Sequence, residues 1–143
     1  MQTGFETTKV ITEWQGEELP DLLPNGFEFW WRGRKFRHKP GGFTDGMSSP
    51  QFLHVWKSTA ARGWAFPAAV PHDGGYHDAL EMLSRYGEWV KFSPTKDDCD
   101  AIFKELMETI ADTTQKQFEL LAFYEAVHLC GQAAFDEGRA KAA

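Results

Sequence analysis

His72 and Asp73 stand side by side in His72-Asp73-Gly74-Gly75-Tyr76, and a further acid, Asp100, follows in Cys99-Asp100-Ala101-Ile102-Phe103. An imidazole held by a carboxylate is a standard way to make a general base. If both segments are helical and pack together, Asp100 comes close to His72. The pairing would fix the imidazole tautomer and leave the other ring nitrogen free to accept a proton from water. The plain alternative for His72 is a structural imidazole bonded to a backbone carbonyl. For Asp100 the alternative is a first-turn acid favoured by the helix dipole, a role that Asp97 and Asp98 already fill. A partly buried carboxylate needs a partner, and His72 is the natural one.

Asp73 lies about 100 degrees further round a helix than His72, so it could face a cation while His72 faces a reacting group. The glycine-rich loop over residues 41–46, with Gly42 and Asp45 in it, could turn several oxygens towards one point. Ca²⁺ favours such flexible oxygen sets. Asp73 and His77, four residues apart, are a weaker pair for a transition metal. Elsewhere Arg32, Arg34, Lys35 and Arg37 interleave with Trp30, Trp31 and Phe36. That pattern suits phosphates of a lipid headgroup or of single-stranded nucleic acid; it also describes an ordinary solvated strand face. His128 reads as a helix-packing residue, and Cys99 and Cys130 as core thiols. Walker, dinucleotide, CxxC and Gly-x-Ser-x-Gly signatures are absent from the sequence.

The elements that must position these residues follow from periodicity. Phe27, Phe29 and Trp31 alternate with Glu28, Trp30 and Arg32, a strand pattern, and Arg32-Gly33 reads as a tight turn into a second strand. A first helix is expected from Pro67 or Pro71, with His72, Tyr76, Leu80 and Leu83 on one stripe. A second starts at Thr95, with Asp98 three residues on completing a capping box. A third runs over residues 115–134. The expected fold is α+β: a small N-terminal β-hairpin or sheet followed by three packed helices. One domain is expected over residues 1–143. It would divide into an N-terminal extension or short strand (1–25), the hairpin and glycine-rich loop (26–50), a helical part (67–134) and a tail (135–143).

Composition narrows the class. A chain of 143 residues with 42% hydrophobic and 15% aromatic residues supports a core rather than disorder. The net charge of −6 argues against a general nucleic-acid coat protein. Two cysteines make no disulfide framework. No basic segment leads into an apolar run at the start, and no stretch is long enough to span a bilayer. The expectation is a soluble protein without a signal peptide or transmembrane segment.

Over residues 27–131 the order of motifs resembles an uncharacterised domain family common in phages and prophages. The resemblance rests on Gly42-Phe43-Thr44-Asp45 with Ser48 or Ser49 and Pro50, then Ala68-Ala69-Val70-Pro71-His72-Asp73, Tyr76, Asp100, Phe103, and Ala126-Val127-His128 with Gly131. The chain departs from it at Gly74-Gly75, where bulkier residues are usual, and at His128, where arginine is common. That resemblance implies a phage- or prophage-encoded protein, acting in the host cytoplasm or in the virion, with a phage or host protein as a potential partner. The two His/Asp segments are also similar to the catalytic helices of phospholipase A2. That likeness implies a calcium-assisted ester hydrolase: His72 as base, Asp73 as calcium ligand, Asp100 orienting His72, and Tyr76 bracing the centre. The rival expectation is a non-catalytic accessory protein whose His-Asp network is structural and whose basic aromatic hairpin is the binding surface.

Overall fold

A computed structural model of the chain describes residues 2–16, 20–44 and 63–143. Asp45 and the Ser48-Ser49-Pro50 motif lie outside the described residues.

The alternating segment forms β2 (Phe27–Trp31), preceded by β1 (Asp21–Leu23) and followed by β3 (Arg34–His38) and β4 (Gly42–Thr44). Phe27, Phe29 and Trp31 point into the core, as the period of two requires. Arg32 and Gly33 join β2 to β3 with φ of 49° and 83°. Two successive positive φ angles make the hairpin turn whose twist matches that of its strands. Pairing is antiparallel, with Phe29 opposite Phe36 and Phe27 opposite His38. β1 pairs with β4 in a separate two-stranded sheet. The segment over residues 10–12 forms no strand; isolated bridges tie Gly4 to Trp30 and Glu13 to Leu22 instead.

α1 (Phe66–Tyr76) starts one residue before Pro67 and is buried from Pro67 to Tyr76. It leaves no face to solvent beyond its first residue and is packed chiefly against α2. It ends sooner than the stripe through Leu80 and Leu83 implies. Asp78 takes the left-handed conformation (φ 57°), while Ala79 N donates to Gly74 O and Asp78 N to Gly75 O. These paired bonds make a Schellman stop. Leu80 and Leu83 therefore belong to β5 (Leu80–Leu83), which pairs with β3 on one side and β6 (Trp89–Phe92) on the other. The larger sheet has the order β2-β3-β5-β6.

α2 (Lys96–Ile110) is capped as expected: the Thr95 hydroxyl accepts from Asp98 N at 3.1 Å. Thr113 caps α3 (Thr114–Cys130) in the same way. The expected third helix then breaks at Gly131, and α4 (Gln132–Ala142) takes over most of the expected tail. Arg139 of α4 donates to Gly75 O at 3.1 and 2.9 Å and also to Pro94 O. Gly75 O is at the C-terminal end of α1, where basic groups are favoured, and Pro94 lies just before α2. The fold is thus α+β, with four helices among the described residues.

Candidate functional site

α1 and α2 meet along the face that carries His72, Tyr76 and Asp100. His72 and Tyr76 are one turn apart on α1 and so project together. The Thr95 cap sets the start of α2, which puts Asp100 in its second turn opposite them. His72 Nε2 lies 2.9 Å from Asp100 Oδ1, and the Tyr76 hydroxyl donates to the same oxygen at 2.8 Å. Lys96, four residues before Asp100, donates to Oδ2 at 2.6 Å. Its remaining protons go to Val127 O and His128 O at 3.3 and 3.0 Å, at the end of α3. His128 Nδ1 stands 3.4 Å from Oδ2. One carboxylate therefore ties three helices together. His72, Asp100 and Tyr76 are completely buried. Gly131 makes room for the phenol, since a Cβ there would come within 2.5 Å of the Tyr76 oxygen.

Burial alone would push the Asp100 carboxyl up, but the bonds from His72 and Lys96 outweigh it and hold the group down at about 2. Burial lowers His72 more than Asp100 raises it, and burial with the neighbouring carboxylate lifts the Tyr76 phenol. The state that satisfies all three is an ionised Asp100 balanced by Lys96, a neutral His72 and a neutral Tyr76. A neutral His72 donating through Nε2 carries a lone pair on Nδ1. That atom is buried and has no hydrogen-bond partner among the described residues. The ring is wedged between Tyr76 and Phe103, at centroid distances of 4.2 and 5.0 Å.

A second imidazole went unnoticed in the sequence. His38, at the inner end of β3, is fully buried. Its Nδ1 lies 3.2 Å from Lys39 O, and its Nε2 lacks a partner among the described residues. The ring fills a slot that two glycines leave open. A Cβ on Gly42 would meet it at 2.4 Å and one on Gly74 at 2.7 Å. The alternation Phe36, His38 was the available signal that this side chain faces inward.

Of the residues expected to hold calcium, Asp73 and Gly42 are described and Asp45 lies outside the described residues. Asp73 is buried, with its Oδ1 3.2 Å from His77 Nδ1, and Gly42 packs on the His38 ring. Among the described residues no group of three or more His, Cys, Asp or Glu side chains is placed to hold a metal ion.

The hairpin cations face acids. Arg32 bonds Glu105 at 3.1 and 2.7 Å, Lys35 meets Glu28 at 2.9 Å and Glu6 at 3.3 Å, and Arg37 meets Glu81 at 2.8 Å. Arg34 lies over Met82 Sδ at 3.3 Å. Trp31 is buried and Trp30 half-buried. Cys99 and Cys130 are free thiols. A cavity of about 560 Å³, lined by Val10, Trp64, Phe66, Ile110 and Lys116 among others, opens away from His72 and Asp100. No described helix is long and apolar enough to cross a membrane.

Comparison with protein-family models finds no match, and neither does comparison with curated proteins or with solved structures.

Proposed function

We propose that the protein is a small phage- or prophage-encoded hydrolase in which His72, oriented by Asp100, activates water for attack on an ester. The observation that carries this reading is the unpartnered Nδ1 of His72, opposite an Nε2 tied to a carboxylate. In the proposed step the α1–α2 interface opens to admit water and ester, and Nδ1 takes a proton from water as the oxygen attacks the ester carbonyl. The imidazolium returns that proton to the alcohol that leaves as the ester C–O bond breaks. Asp100 steadies the imidazolium that forms, and Tyr76 and Lys96 hold Asp100 in place. The substrate class that fits the phospholipase likeness is a phospholipid ester. Calcium beside Asp73 is a variable of the test and not a step of the proposed chemistry.

The complete burial of His72, Asp100 and Tyr76 favours a second reading, a non-catalytic accessory protein held together by this network. In that reading the basic aromatic hairpin, with Trp30 and Lys35 paired on its outer face, is the contact surface for a protein or a phosphate-bearing ligand.

The discriminating experiment follows fatty-acid release from phosphatidylglycerol vesicles, with and without calcium, by the parent, His72→Gln and Asp73→Asn, with circular dichroism as the folding control. Release by the parent that His72→Gln abolishes without unfolding supports the hydrolase. Dependence on both calcium and Asp73 adds the metal. No release by the parent under either condition overturns the hydrolase and leaves the structural reading.

A further inference from the structure

His72 is not the sole imidazole on Asp100. His128 approaches the other carboxylate oxygen, with Nδ1 3.4 Å from Oδ2, and 42% of its side chain is exposed where His72 has none. Its ring lies parallel to Tyr124, with centroids 5.3 Å apart and planes 13° apart. The Lys104 ammonium also lies over the Tyr124 ring, 5.2 Å from its centre. Its backbone is held by Lys96, which donates to His128 O at 3.0 Å. Stack, carboxylate and backbone bond each restrict the ring. An imidazole that gives its Nδ1 proton to a buried carboxylate must carry its lone pair on Nε2, and the side chain of His128 is partly open to water.

We propose that His128 is a second working imidazole, a solvent-facing nucleophile oriented by Asp100 that accepts acyl groups from activated esters. It deepens the hydrolase reading in that it rests on Asp100 as the orienting carboxylate, but it does not require His72 to react. In the step proposed, the Nε2 lone pair attacks the carbonyl of p-nitrophenyl acetate and p-nitrophenolate leaves with the electron pair of the broken ester bond. The acylated ring loses its Nδ1 proton towards Asp100 and solvent. Water then attacks the acyl-imidazole, releasing acetate and a proton and restoring the Nδ1–H ring. A surface imidazole suits substrates too large to enter the helix interface, and the oriented tautomer separates it from a histidine that merely packs on Tyr124.

Two measurements on the full chain test this. Long-range proton–nitrogen correlation spectra of the parent at neutral pH should show the neutral His128 ring protonated on Nδ1 and bare on Nε2. Hydrolysis of p-nitrophenyl acetate should fall to the buffer rate in His128→Gln, with His72→Gln measured beside it. A His128 ring protonated on Nε2, or hydrolysis that His128→Gln leaves intact, overturns the proposal. So does a parent that hydrolyses nothing. Hydrolysis lost in His72→Gln alone overturns it too while sparing the His72 reading, so the two fail separately. The spectrum needs no variant, so the test survives any substitution that unfolds the chain.

Discussion

The hydroxyl of Tyr76 sits in space that Gly131 leaves vacant, and from there it donates to Asp100 at 2.8 Å. The break between α3 and α4 is thus coupled to the geometry of the buried carboxylate. Gly131 has φ −84°, so an alanine there meets no φ strain, but its Cβ meets the phenol and the Val127 backbone carbonyl. Gly131→Ala should cost about 1–3 kcal/mol, the usual range for overpacking. Part of that cost should vanish in a Tyr76→Phe background, because removing the oxygen relieves one of the two contacts. Urea denaturation of the four proteins of this cycle measures the coupling. A coupling near zero would mean that the phenol does not feel position 131.

Asp100 is the acceptor on which His72, Tyr76 and Lys96 converge, and Lys96 is about one-tenth exposed. Asp100→Asn removes the charge and strands a buried ammonium. Breaking one side of a buried ion pair typically costs about 3–5 kcal/mol. Lys96→Met added to Asp100→Asn should recover part of that loss, since no buried charge then remains uncompensated. Urea midpoints of the single and double variants check this. A double variant no more stable than Asp100→Asn would show that lost hydrogen bonds, not the stranded charge, carry the cost.

How much of this was legible depends on whether the signal was local. The Thr95 cap, the alternation of Phe27, Phe29 and Trp31, and the spacing of His72 and Tyr76 are local, and the structure keeps all three. The pairing of Asp100 with His72 followed from the need of a buried carboxylate for a partner. Leu80 and Leu83 misled because a spacing of three and four serves a helix stripe, and a short strand can carry the same leucines. What decided between them was Asp78 entering the left-handed region, which acidic residues adopt only occasionally. Lys96 had a visible signal, a cation four residues before an acid on one helix. His38 had less, because the two glycines that shape its slot come from other elements. Arg139 anchors α4 to α1 over a separation of 64 residues, beyond the reach of any local pattern.

Arg139 makes a prediction of its own. Its guanidinium spans Gly75 O and Pro94 O, a geometry that a lysine ammonium matches poorly. Arg139→Lys should lose about 1–2 kcal/mol and Arg139→Met more, because the tie between α4, the end of α1 and the Pro94 carbonyl would be lost. Thermal melts of both would show it, and unchanged melting temperatures would return residues 135–143 to the status of a tail.

Stability should fall on the acid side of neutrality because two imidazoles are buried neutral. Burial depresses His38 and His72 below the ordinary value of 6.5. The unfolded chain then binds protons that the folded chain refuses, so unfolding gains as pH falls. Each contribution is intact above about 6.5 and is lost progressively below it. With both groups acting, the limiting slope is about 2.7 kcal/mol per pH unit. Asp100 adds nothing to this window, since its carboxyl titrates at about 2 and its share is lost only as pH drops from 3.8 towards that value. Urea midpoints at pH 5.5, 6.5 and 7.5 should therefore decline towards acid, and His38→Gln should flatten the decline. A flat profile, or one that rises towards acid, would mean that these rings hold protons in the folded state.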